Sequence, residues 1–242
     1  MERHLLILET SGGVAQVALA VDETIHARRQ LEAARRHARD LAPTVSELLS
    51  QQGWKPRDLT GIVVSRGPGS YTGLRVGIMS AKTLAYATGC ALIGVETFAA
   101  IALQAPSEAT LLDVIGDAQQ DNVYVQRFEY AGEQEVRATT PLSIESFSNW
   151  LAQRNPSTWI VGPGLNRFGG RVAANCRVVE PRYWDPQPEG LLRIARQRLA
   201  RNERDDPWTL EPLYLRPSSA EEQWARRHGN EGMGGLPKSP VV

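Results

Sequence analysis

The sequence predicts an α/β protein. Short apolar runs of strand length alternate with amphipathic stretches of helix length up to about residue 105, and a strand, helix, strand, helix order favours parallel pairing with right-handed crossovers. Apolar residues make up 42% of the 242 positions. A chain of this size buries roughly 70% of its unfolded surface. Length alone leaves one large domain or two small lobes open.

The elements follow in order. His4 to Leu8 is an apolar run that reads as a buried strand, and Glu9-Thr10-Ser11-Gly12-Gly13 as a tight polar turn. Val14 to Val21 alternates like a strand and Thr24 to Gln30 is a third, so the chain opens with a meander. From Arg36 to Gln52 the pattern is helical, with Leu41, Val45, Leu48 and Leu49 on one face. Pro43 suggests that the regular helix starts near it, and Gly53 that it ends there. Gly61 to Ser65 is a strand, residues from about Gly73 to Ala87 a long helix stopped by Gly89, and Ala91 to Val95 another strand. Thr97 is placed to cap a helix to about Ala105.

Pro106-Ser107-Glu108 marks a candidate lobe boundary. Beyond it, Leu111 to Ile115 and Val123 to Tyr130 read as paired strands. Ser143 to Gln153 reads as a helix capped by Ser143, Trp159 to Val161 and Arg177 to Val179 as short strands, and Pro188 to Arg201 as a helix. From about Pro217 the chain is polar and rich in Gly, Ser, Glu and Pro, the composition of a disordered tail.

Charge and cysteine content exclude several classes. With 27 basic and 27 acidic residues, the chain lacks the basic excess of a strong free-standing RNA binder. The basic residues are almost all arginine, which suits forks on phosphate or carboxylate, though the codon bias of a GC-rich genome is the better explanation. Cys90 and Cys176 stand alone, with no CxxC pair and no disulfide framework, as suits a reducing, cytoplasmic compartment. No leader sequence is recognisable at the start, and no apolar stretch approaches the length of a membrane span.

The most informative segment is Gly67-Pro68-Gly69-Ser70-Tyr71-Thr72-Gly73-Leu74-Arg75. It lies between a buried strand and a helix N-terminus, where open α/β sheets bind anions. It is no P-loop, because Leu74-Arg75 stands where Lys-Ser/Thr is required, and no Gly-x-Ser-x-Gly elbow occurs in it. A rigid turn that starts a helix explains it as well as an anion site does. In the helix that follows, Gly73, Gly77, Ala81 and Ala85 recur every fourth residue with Leu74, Ile78 and Tyr86 nearby, a smooth ridge that lets another helix approach closely. That helix can belong to a partner or to the chain itself.

Residues 67 to 77 resemble the signature of the TsaB (YeaZ-like) family of tRNA threonylcarbamoyladenosine biosynthesis proteins. Ile7-Leu8-Glu9-Thr10-Ser11, His37 with Leu41 and Pro43, Asp117-Ala118 with Val123-Tyr124, and Pro212-Leu213-Tyr214-Leu215-Arg216 resemble other family segments in the same order. The resemblance covers about residues 4 to 216. It implies two ribonuclease H-like lobes of the actin and sugar-kinase superfamily: residues 1–105, residues 106–216, and then the tail 217–242. It further implies a non-catalytic scaffold, without catalytic or metal-ligating residues, for a complex that transfers a threonylcarbamoyl group to the adenosine 3′ of the anticodon. The expected partners are a catalytic TsaD-type paralogue and a small TsaE-type ATPase, with tRNA reached through the complex and no membrane involved. ATP and a metal are expected on those partner subunits and no cofactor in this chain.

Under this reading, Gly73, Leu74, Gly77, Ile78, Ala81, Ala85, His37 and Leu41 form the partner interface, which can also pair two copies of this chain. Ala81→Arg is then expected to abolish pairing and leave the fold intact. Glu9, Thr10, Ser11, Gly67, Gly69, Ser70 and Thr72 form a vestigial nucleotide or anion loop.

The catalytic paralogue holds its metal through two histidines four apart. Val95 to Ile101, the matching segment, has none, and no two of His4, His26, His37 and His228 are so spaced. Glu9 stands where the family has Asp, and Gln119 and Gln120 where it often has two arginines. The alternatives are an ATPase or phosphotransferase of the same fold using Glu9, Ser11 and the Gly67–Thr72 loop, and a glycoprotease-like metallopeptidase. The latter lacks an HExxH motif or an assignable Ser–His–Asp set.

Overall fold

The computed structural model describes residues 2–31, 37–132 and 135–216, with backbone alone at residues 37 and 38. The expected tail at 217–242 lies outside the described residues, as does the His37 side chain. In chain order the first elements are β1 (His4–Glu9), β2 (Gln16–Val21), β3 (Thr24–Gln30), α1 (His37–Gln51), β4 (Gly61–Gly67), α2 (Tyr71–Thr88), β5 (Ala91–Glu96) and α3 (Thr97–Gln104). The five strands form one sheet in the order β3-β2-β1-β4-β5. The meander pairs antiparallel, and β1, β4 and β5 run parallel.

The apolar runs of β1 and β4 follow from this topology, since central parallel strands are covered on both faces. Leu6, Leu8, Ile62 and Val64 pack against Leu41, Val45, Leu48 and Leu49 of α1 and Ile78, Ala81 and Ala85 of α2. Leu5, Ile7, Val63, Ile93 and Val95 face the other way, onto Ala100 of α3 and onto Leu191, Leu192 and Ala195.

The second sheet is built from β6 (Leu111–Asp117), β7 (Asn122–Tyr130), β8 (Val136–Ala138), β9 (Ser143–Ser146) and, after α4 (Phe147–Gln153), β10 (Trp159–Val161). Its order is β10-β6-β7-β8, with β9 also on β7. Then come α5 (Leu165–Phe168) and α6 (Pro188–Ala200). Phe98, Ile101 and Ala102 of α3 cover one face of this sheet, while Phe147, Trp150, Leu165 and Phe168 cover the other. Helix α3 therefore serves both sheets. Helix α6, late in the sequence, returns to the first.

Several elements differ from the sequence reading. Ser143–Ser146 is a strand, because pairing with the start of β7 overrides its helical pattern, and the cap passes to Ser146, whose Oγ accepts from the Asn149 amide at 3.2 Å. Thr97 is the first residue of α3 rather than its cap; Glu96 takes that position without a side-chain cap bond. Helix α2 starts at Tyr71, capped by Ser70. Helix α1 starts at His37 and carries Pro43 inside it. The strand expected at Arg177–Val179 is a single bridge between Val178 and Ile160. Among the described residues no helix is long and apolar enough to cross a membrane.

Candidate functional site

The Glu9–Gly12 turn and the Gly67–Thr72 loop meet at the C-terminal ends of β1 and β4, and they meet closely. The Ser70 amide donates to the Ser11 carbonyl at 2.8 Å, and Ser70 Oγ accepts from the Gly73 amide at 3.2 Å. A Cβ on Gly69 would lie 2.4 Å from the Ser11 carbonyl oxygen, on Gly73 2.0 Å from the Thr10 carbonyl oxygen, and on Gly77 2.1 Å from Thr10 Oγ1. No side chain fits at such distances. The glycines of the signature thus seat α2 on the turn after β1, and two amides at the helix start are spent inside the chain.

The same geometry corrects the expected docking ridge. Gly73, Leu74, Gly77, Ile78, Ala81 and Ala85 form the buried face of α2, against the chain's own first sheet. Leu41 is buried on α1 in the same core. Ala81 is 0% exposed, so Ala81→Arg would drive a charge into the core and does not test pairing. The ridge admits a close neighbour, but that neighbour is the chain's own β1 turn.

The surface that α2 offers outward is the opposite one. Arg75, Met79, Thr83 and Tyr86 are exposed along it, with Met79 at 59% and Tyr86 at 69%. Trp208, at 75%, sets its ring edge-on to Tyr86 at 5.4 Å. At the helix start Arg75 lies over the Tyr71 ring, which stacks on Tyr214 at 4.6 Å. Residue-type spacing pointed to the small residues. On the opposite face, Met79 and Tyr86 stay exposed among the described residues, Tyr86 with the Trp208 ring at its edge.

Glu9 is fully buried. Its Oε1 accepts from the Ser11 amide and the Ser11 hydroxyl, each at 2.6 Å, and from the Gly12 amide at 3.1 Å. Its Oε2 is buried with no hydrogen-bond partner. Burial pushes the carboxyl up from 4.5 to about 7, against the lowering effect of its Ser11, Gly12 and Ser65 hydrogen bonds. A group clamped to its own turn and poised to hold a proton does not fit a magnesium ligand, which needs an ionised and accessible oxygen. Among the described residues no three His, Cys, Asp or Glu gather where they could hold a metal ion. His4 stacks on Trp54 at 4.1 Å and His26 lies exposed on β3.

In the second sheet, the turn joining β6 to β7 holds Gln119, Gln120 and Asp121 at φ of 62°, 50° and 63°. Three successive side-chain-bearing residues in the left-handed region cost roughly 1–2 kcal/mol each. Arg167 pairs with Asp117, and Arg171 with Asp121, pinning the turn from α5 and the residues just after it. Arg171 holds the Asp121 carboxyl below the usual carboxylate range.

The sequence profile of the family described as TsaD, tRNA N6-adenosine threonylcarbamoyltransferase, matches residues 26–157, more than half of the chain. Over nearly its whole length the chain is similar to proteins named tRNA threonylcarbamoyladenosine biosynthesis protein TsaB. It is 26% identical to that of Bacillus subtilis, over 91% of this chain and 97% of the relative, and 28% identical to that of Escherichia coli, over 94% and 100%. The chain belongs to the TsaB family, within the wider group that the TsaD profile describes. The solved structure of YeaZ from Pseudomonas aeruginosa superposes with a TM-score of 0.76 at 25% identity, covering 88% of this chain and 100% of that one. The two-sheet α/β architecture of this chain is therefore shared with YeaZ.

Proposed function

We propose that this chain is a non-catalytic subunit in the formation of threonylcarbamoyladenosine on tRNA, and that it supports a catalytic TsaD-type paralogue by direct pairing. The observation that carries this is the outward face of α2. Met79 and Tyr86, with Trp208 against Tyr86, leave large apolar surface open to water on a helix that is otherwise well packed. Exposed apolar patches of this kind mark contact sites for other chains, and aromatic residues dominate the energetics of such contacts. The relatives' names supply the pathway, and the TsaD profile supplies the kinship of subunit and partner. A TsaE-type ATPase and tRNA complete the assembly, and ATP and the metal belong to the partner subunits. The clamped Glu9 and the self-satisfied loop support a chain that takes no magnesium nucleotide, and so speak against the ATPase reading.

Reconstitution tests this. The paralogue, the ATPase subunit, threonylcarbamoyl-adenylate and unmodified tRNA are combined with and without this chain, and modified nucleoside is quantified. Product is expected only with the chain present, and Met79→Arg with Tyr86→Arg should weaken pairing at least about 100-fold, the effect of losing two interface anchors of ~1.5 kcal/mol each. Equal product without the chain would remove the proposal. Unchanged pairing by the double variant would move the interface elsewhere.

A further inference from the structure

After α6, the segment of residues 201–216 runs along the molecule and meets the first sheet through a single antiparallel bridge of Asp205 with Leu92 of β5. Its near end is bound firmly to the first lobe. The Asp205 amide donates to the Leu92 carbonyl at 2.8 Å, and Asp205 Oδ2 accepts from the Gly94 amide at 2.6 Å and from Arg198 Nη1 at 2.9 Å. Leu210 is buried, close enough to Gly94 that a Cβ there would lie 2.7 Å from its Cδ1, and Lys82 Nζ donates to its carbonyl at 3.1 Å.

The segment then passes the glycine-rich loop. The Leu213 amide donates to the Arg66 carbonyl at 2.7 Å, the Leu213 carbonyl oxygen lies against Gly67, and the Tyr214 ring stacks on Tyr71. Its far end reaches the second lobe. Arg216 Nη1 donates to the Ala118 carbonyl, and Arg216 Nη2 to Gln120 Oε1 at 3.4 Å. The covalent chain crosses between lobes twice, at residues 105–110 and 184–187. The strap adds a further non-covalent link to those made by α3, which serves both sheets, and by the Arg201–Glu135 pair, and Arg216 carries it to the turn of the second sheet.

We propose that residues 205–216 are an interlobe latch. Arg216 fastens the strap to the strained turn at residues 118–121, and the closed strap fixes the angle between the lobes and covers the loop before α2. The asymmetry of the two ends supports this. The near end is held by a buried leucine and a bidentate Arg198–Asp205 pair. At the far end the Arg216 guanidinium reaches the Ala118 carbonyl and Gln120 Oε1, contacts that can exchange without disturbing a sheet. Segments with few buried contacts open at low free energy while the core stays intact. The latch does not depend on the proposed pairing, since every contact that defines it lies within this chain.

The test uses the full-length chain and its Arg216→Ala and Tyr214→Ala variants. Amide hydrogen exchange is followed at Leu213, with Leu6 and Val63 of the first sheet as internal references. In a second measurement, spin labels on exposed α2 and β8 positions, in a background without Cys90 and Cys176, report the distance between lobes. Arg216→Ala should raise the Leu213 exchange rate about tenfold, the order expected for losing a charge-assisted hydrogen bond, leave the references unchanged, and broaden the interlobe distance. Tyr214→Ala should do the same from the middle of the strap. Unchanged Leu213 exchange and an unchanged distance distribution in both variants would overturn the latch, as would equal acceleration of the reference amides, which reports general destabilisation.

Discussion

At the scale of single residues, Glu9 concentrates the most consequence. Its carboxyl is raised from 4.5 to about 7 by burial, so the folded chain keeps a proton that the unfolded chain gives up. Stability from this group is complete below pH 4.5 and declines as pH rises to about 7, by about 3 kcal/mol in all at 1.36 kcal/mol per unit. Glu9→Gln preserves an acceptor for Ser11 and Gly12 and has nothing to ionise. Its stability relative to the parent chain should therefore improve by about that amount between pH 5 and pH 8, read from urea unfolding at both. A constant difference would mean that Glu9 is ionised when folded. The type of residue is visible in the sequence, where Glu9 stands in place of the family's Asp. The clamp itself was not legible, because it depends on how the backbone of Ser11 and Gly12 folds back on the carboxyl.

At the scale of elements, the helices and central strands were legible because their periodicities are strong, and Gly89 ended α2 in the left-handed conformation expected of it. Which way α2 faces was not. A ridge of small residues and a partner-facing surface leave the same pattern in a sequence, and only the clash distances to Thr10 decide between them. The second sheet holds a feature that spacing could not reveal. Asp113 on β6 is fully buried; Arg127 on β7 grips it at 2.7 and 3.2 Å, and Thr158 Oγ1 adds a bond at 3.0 Å. Register brings Asp113 and Arg127 opposite each other. Removing one partner leaves a buried charge without compensation. Arg127→Ala is expected to cost about 3 kcal/mol in denaturant unfolding, and Asp113→Asn with Arg127→Ala less than the single change. Equal losses would show that the pair contributes packing alone.

At the scale of the whole molecule, an α/β architecture was anticipated from the sequence, whereas the return of α6 to the first sheet of the two was not. Its amphipathic pattern specifies a helix but not which sheet it covers. Leu191, Leu192 and Ala195 close the face formed by Leu5, Ile7, Val63 and Ile93. A fragment of residues 1–105 is therefore expected to lack cooperative thermal unfolding, and adding residues 188–200 in trans should partly restore it. A sharp transition in the fragment alone would show that α3 suffices on that face. The same closure bears on synthesis. Domains generally fold as units from the N-terminus while the ribosome is still at work, at about 5–20 residues per second. Here roughly a hundred residues separate β5 from the end of α6, so the nascent first lobe waits on the order of 10 s with one apolar sheet face uncovered, a window in which a holding chaperone has a physical reason to bind it.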